Sequence, residues 1–109
     1  NCDVIYVPTD NTVAENTGII DNVCAPKKLP VIAGEEGICK GCGVATLSIS
    51  YYDLGYATGK MAVKVLKGEA DISTLAIGYA ETQTPKYNKA ICDALGITPL
   101  EGYVAIEDN

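Results

Sequence analysis

Thr9, Asp10 and Asn11 carry most of the chemistry that can be read in this chain. Together they can meet both signs of a zwitterion. Asp10 can accept from an ammonium group, while the Thr9 hydroxyl, the Asn11 amide and the first amides of a following helix can donate to a carboxylate. Capping is the plainer job, because Asp, Asn and Thr are preferred N-cap residues with or without a ligand. Glu35 and Glu36 form a second cluster, flanked by glycines, that could hold an amine or a metal ion, or simply be a solvated turn. Adjacent carboxylates on one turn do not give the opposed pair that glycoside hydrolysis needs. Tyr51 and Tyr52 supply a ring that could stack on a ligand, and one of the two must belong to the core. Cys39-Lys40-Gly41-Cys42 is a C-x-x-C motif, the spacing of redox dithiols and of half a zinc site. Gly41 and Gly43 disfavour the helix that activates a redox thiol, and the other cysteines are too scattered to complete a zinc site. A Cys39–Cys42 disulfide or two free thiols is the expected state.

The composition narrows the partners. A net charge of -6, with no arginine among 109 residues, repels polyanions and anionic membrane surfaces, so nucleic acid is not an expected partner. The absence of histidine removes imidazole chemistry and imidazole-bound zinc, and with them many enzymes; no cofactor is expected. Five cysteines cannot all pair within one chain. At 11.4 kDa the chain is one domain at most and buries only about two thirds of its unfolded surface. Asn1 stands two residues from the first strand, leaving no room for a signal peptide, and the sequence reads as cut from something longer.

Periodicity supplies the elements that must position these groups. Val4-Ile5-Tyr6-Val7 is a short apolar run of the kind found in buried parallel strands, and open α/β sheets bind ligands just past such ends. Thr12 to Cys24 has mainly helical spacing with a Thr12-x-x-Glu15 capping box, and Pro26 should end that helix. Leu29 to Ala33 is a second strand. Residues 37–43, rich in glycine, are expected to form no regular element. Val44 to Ile49 is a third strand, followed by a Ser50-x-x-Asp53 capping box and a helix bearing a Leu54, Met61, Ala62, Val65, Leu66 stripe that Gly68 closes. Gly55 and Gly59 in its interior suggest close approach to a sheet or another helix. A weak strand is expected near Ala76 to Tyr79, then a short helix from Lys89 to Leu95 with Asn88 as its cap and Gly96 as its stop. Residues 97–109 give no clear signal. The succession is α/β.

Val7 to Ala14, Pro30 to Glu35, Ser50 to Gly55 and Met61 to Gly68, taken in this order, resemble the C-terminal portion of ABC-importer solute-binding proteins of the tryptophan/tyrosine type. The resemblance runs from about Asp3 to Thr98. It implies a partial lobe of the type I periplasmic-binding-protein-like kind, a mostly parallel sheet with flanking helices, from a protein whose two lobes close on an amino acid around a hinge. By that analogy residues 1–43 belong to the carboxy-terminal lobe, 44–50 are a hinge-crossing strand, and 51–109 return towards an amino-terminal lobe that is absent. Thr9, Asp10 and Asn11 match the family's strand-end cluster, and Glu35, Ser50 and Tyr51 match turns that face the cleft. The C-x-x-C departs from the family pattern. The family is exported and often lipid-anchored, which implies an oxidising setting where a Cys39–Cys42 or longer-range disulfide can form.

The expected function is therefore non-enzymatic capture of a small solute, an amino acid with aromatics favoured, and its delivery to an ABC permease. Asp10 is assigned to the ammonium group, Thr9 and Asn11 to polar anchoring and Tyr51 to a side-chain wall, and Glu35, Glu36 and Ser50 are further expected ligand-binding residues. The alternative is a thiol-disulfide redox or metal-binding module using Cys39 and Cys42. A stand-alone regulatory module is disfavoured, because the Leu54 to Leu66 stripe has few strands left to cover. The isolated chain is expected to self-associate through surface that a missing lobe would cover.

Overall fold

The structure, a computed structural model, describes residues 2–107. Asn1, Asp108 and Asn109, at the outer ends of the expected 1–43 and 51–109 segments, lie outside the described residues. Five strands form one sheet in the order β1 (Ile5–Val7), β2 (Val31–Ala33), β3 (Ala45–Ile49), β4 (Gln83–Tyr87) and β5 (Val104–Ala105). β1 pairs with β2, β2 with β3 and β4 with β5 in parallel, so the sheet is mostly parallel, as expected. The Asn88 amide donates to the Val44 carbonyl at 3.0 Å, which sets the end of β4 beside the start of β3.

The chain forms two compact units. One comprises Asn1–Ser48 with Thr84–Asn109, and the other is Ile49–Gln83. The first unit is discontinuous in sequence: the chain leaves it after Ser48 and returns to it at Thr84.

In the first unit, strand alternation puts Val7, Val31 and Ala33 on one sheet face, where they join Cys24, Ile38, Cys39 and Cys42 in a single core. Each fully buried aliphatic side chain there contributes about 1.5–3 kcal/mol of transfer free energy. Tyr6, Ile32 and Leu47 alternate to the other face and are exposed, Tyr6 by 66% and Leu47 by 56%. A mostly parallel sheet is ordinarily covered on both faces; this one leaves an apolar row open.

The single helix expected over residues 12–24 is two helices, α1 (Asn11–Ala14) and α2 (Thr17–Cys24). Asn16 breaks it. Its side-chain amide donates to the Thr12 carbonyl at 2.7 Å, taking the acceptor its own backbone N–H would use in a continued helix, and that N–H turns to the Val13 carbonyl instead. The N-cap is Asp10 rather than Thr12. Pro26 lies in a 3-10 turn, Ala25–Lys27, that Lys28 closes in the left-handed region.

Residues expected to form no element hold α3 (Glu36–Cys42). Its glycines argue against a helix locally, but Ile38, Cys39 and Cys42 share a face that is fully buried, and burial overrides propensity. Gly41 has a second reason to be there: a Cβ at that position would overlap the Thr17 side chain, so α3 and α2 meet with no room between them. Farther on, no strand forms over 76–79. β4 forms instead at Gln83–Tyr87 and includes Pro85; β5 pairs with Lys86 and Tyr87, past the residue that lacks an N–H. α5 (Lys89–Leu95) has Asn88 as N-cap and Gly96 as left-handed stop, as expected.

In the second unit, α4 (Tyr51–Leu66) starts at Ser50, whose hydroxyl accepts from the Asp53 amide at 3.1 Å. It ends where Gly68 takes a left-handed conformation. Leu54, Ala57, Met61 and Val65 form the half-buried stripe, whereas Ala62 and Leu66 of the expected stripe are exposed. The close approach expected at Gly55 and Gly59 is not found, since an added Cβ at either would meet nothing within 4 Å among the described residues.

Gly41→Ala is expected to lower the unfolding free energy by roughly 1–2 kcal/mol, overpacking against Thr17 outweighing the gain in helix propensity. Urea denaturation should show it, and Thr17→Ala in the same background should recover part of the loss. An unchanged midpoint would contradict the packing described.

Candidate ligand-binding site

The carboxyl ends of β1 and β2 are held side by side. Val7 pairs with Ala33, and the Gly34 amide continues the ladder by donating to the Val7 carbonyl at 2.7 Å. A Cβ on Gly34 would lie 2.6 Å from the Thr9 nitrogen and 3.0 Å from its hydroxyl. Only glycine permits this approach. Thr9 therefore sits directly against Gly34, and Asp10 and Glu35, the residues that follow each of them, lie at the same end of the sheet.

Each polar side chain there has a measurable attachment. Asp10 Oδ1 accepts from the Val13 amide at 2.9 Å, so the expected capping role is real. A cap uses one carboxylate oxygen, and Thr9, Asp10 and Asn11 are all exposed. Glu35 is committed further. It caps α3 with both oxygens, Oε2 accepting from the Gly37 amide at 2.8 Å and Oε1 from the Ile38 amide. Glu36 faces a different partner: its Oε2 is 2.7 Å from Lys86 Nζ on β4 and accepts from the Ser48 hydroxyl on β3 at 3.3 Å. Two of the expected ligand residues are thus built into the scaffold. Lys86 and Ser48 escaped the sequence reading because the pair spans 50 positions and no local pattern links them.

Ser50 and Tyr51 belong to the 49–83 unit. Ser50 is the α4 cap, and Tyr51 is 60% exposed. A hollow of about 650 Å³ in that unit runs along Gly55, Tyr56, Gly59 and Val63. Lys60 lies over the Tyr56 ring at 5.1 Å. This hollow is open helix surface and includes none of the expected ligand residues.

Of the two states expected for the C-x-x-C, a disulfide or two free thiols, the structure has the free thiols. Cys39 and Cys42 are free, buried thiols on α3, Cys39 Sγ directed at the Gly43 carbonyl and Cys42 Sγ at the Ile38 carbonyl. Burial, reinforced by Cys92 and Cys42, pushes the Cys39 thiol up to about 12. Burial, then Asp21 and Cys24, also raises Cys42. A redox dithiol needs the opposite shift and an accessible sulfur.

The family described as ABC transporter substrate binding protein matches residues 1–106, eight residues past the end of the resemblance visible in the sequence. The chain belongs to this substrate-binding family. A tyrosine-binding protein of Clostridioides difficile (strain R20291) is 41% identical over 68 residues, 62% of this chain but 20% of that protein. Among solved structures, the ligand-free, open form of a Clostridium difficile substrate-binding protein with adhesive properties is 35% identical with a TM-score of 0.74, over 97% of this chain and 36% of that one. The ABC domain from Streptococcus pneumonia in complex with L-Trp is 34% identical with a TM-score of 0.78, over 95% and 37%. The chain thus spans a fifth to about a third of the length of these relatives. The periplasmic-binding-protein-like fold class is the one expected.

The raised Cys39 pKa has a pH consequence. Its folded value lies above the ordinary 9.0, so the neutral thiol's contribution to stability is fully present below pH 9 and is lost as pH rises towards about 12. Cys39→Ala should flatten the fall in chemical-denaturation stability across that window relative to the parent. Parallel curves would refute the shift.

Proposed function

We propose that this chain is part of the solute-binding component of an ABC importer, and that it contributes one wall of an interlobe cleft for an amino acid, aromatics favoured. The observation that carries the reading is the close contact of Gly34 with Thr9, which places exposed Thr9, Asp10 and Asn11 at the carboxyl end of a mostly parallel sheet. The family and the tyrosine-binding and L-Trp-bound relatives support the choice of solute.

Asp10 receives the ammonium group, Thr9 and Asn11 donate to the carboxylate, and Tyr51 offers a ring to the side chain. Glu35 and Glu36 serve the cleft through the helix and strand they hold. Ser50 orients α4 and with it Tyr51. The lobe assignment follows the two units: residues 1–48 with 84–109 belong to one lobe and 49–83 to the other, in place of the boundaries at 43 and 51. Lobe closure presents the solute to the permease, with no reaction and no cofactor. The protein acts outside the cytoplasm, tethered by a lipid. The uncovered row of Tyr6, Ile32 and Leu47 is the surface through which the isolated chain pairs with a second copy.

Asp10→Asn separates the two roles of this residue, because asparagine caps a helix as well as aspartate but carries no charge. In the full-length protein it should weaken amino-acid binding by about 10–100-fold in calorimetry, as expected for loss of a charge-assisted hydrogen bond. Undiminished affinity would remove Asp10 from the site. Sedimentation of the 109-residue chain should give a concentration-dependent dimer, shifted to monomer by Leu47→Lys. A compact monomer at all concentrations would overturn the self-association.

A further inference from the structure

Glu36, Ser48 and Lys86 come from three elements of the first unit, and their side chains meet at one carboxylate oxygen. Glu36 Oε2, at the start of α3, lies 2.7 Å from Lys86 Nζ on β4 and accepts from the Ser48 hydroxyl on β3 at 3.3 Å. Ser48 is the last residue before the chain leaves this unit, and Lys86 comes two residues after the chain re-enters at Thr84. One carboxylate therefore holds both strands close to the two points where the chain crosses between units. Ser48 is buried, and the Lys86 and Glu36 side chains are only 27% and 38% exposed, so solvent screens this pair less than a surface one. Lys89 and Asp93, by contrast, pair within α5, are exposed, and tie no two elements together.

We propose that Glu36 is a positioning residue for lobe closure, tying the two crossing strands together so that they bend as one hinge. A chain that passes twice between compact units can bend at each passage independently, and independent bends let the units twist as well as close. With Ser48 and Lys86 held to the same oxygen, neither strand slides against the other on the first-unit side. Hinges are commonly a few element-terminal residues that absorb the dihedral change, and here that change falls to Ile49 and Ser50 on the way out and to Thr82 and Gln83 on the way back. An open state restricted to fewer arrangements has a larger fraction poised to close, and apparent affinity follows that fraction. Glu36 touches no solute in this scheme and acts through the strands alone. The inference rests on reading the two units as closing lobes.

The test uses the full-length protein in a Cys2→Ala background, which removes the exposed thiol. Lys67→Cys and Glu101→Cys carry spin labels, one at an exposed position of each unit. The distribution of label-to-label distances is recorded by double electron–electron resonance, first without solute and then with L-tyrosine or L-tryptophan. Lys86→Met, which keeps the apolar stem and removes the charge, should broaden the solute-free distribution and weaken binding of the amino acid by about 3–10-fold. Glu36→Gln serves if that variant does not fold. Exchanging the charges, Glu36→Lys with Lys86→Glu, should recover much of both, because the Ser48 hydroxyl can accept as well as donate. An unchanged width with only a lowered thermal midpoint, or an exchanged pair that does worse than Lys86→Met, would overturn the proposal. If the parent's distances respond to neither amino acid, the reading of closing lobes fails, whereas the solute-free widths still decide whether Glu36 holds the crossing strands.

Discussion

Much of the first unit depends on one contact, the backbone of Gly34 set against Thr9. No side chain can occupy that space, so the two strand ends are locked at one height and the ladder between Val7 and Ala33 extends one further bond. Two consequences follow from the lock. The polar residues after β1 are carried to the same edge as those after β2, and Glu35 is left extended at the start of α3 where its carboxylate can close back on the helix amides. The exposed triad and the buried helix are therefore products of the same constraint.

The return of the chain after residue 83 rests on a few polar ties that cross long sequence distances. Lys86 to Glu36 and Asn88 to the end of α3 are the principal ones. Each hydrogen bond is worth only about 0.5–1.5 kcal/mol net, but removing one partner of a half-buried pair leaves the other to bear its desolvation cost. Such ties are better suited to fixing register than to adding stability.

The sequence was most legible where a local signal and the tertiary outcome agree. Ser50, Asn88, Gly68 and Gly96 mark helix ends that the structure reproduces, because caps and left-handed stops are decided within a few residues. Asn16 shows the limit: its side chain belongs to a residue type favoured in turns, yet the capping box around it read as a helix start. α3 was illegible for a different reason, since its glycines are explained only by Thr17 on another helix and its stability only by burial of Ile38 and Cys39. At the candidate site the exposed triad was visible as a cluster of types, whereas the engagement of Glu35 and Glu36 by the scaffold required partners that pattern reading does not supply.

β3 and β4 are hydrogen-bonded neighbours, and the Asn88 to Val44 bond runs them in opposite directions. The end of β3 and the start of β4 therefore lie together, at the points where the chain leaves the first unit and re-enters it. Topologically, residues 49–83 are an insertion into a hairpin. A tight two-residue turn joining Ser48 to Thr84 would preserve every strand neighbour in the sheet.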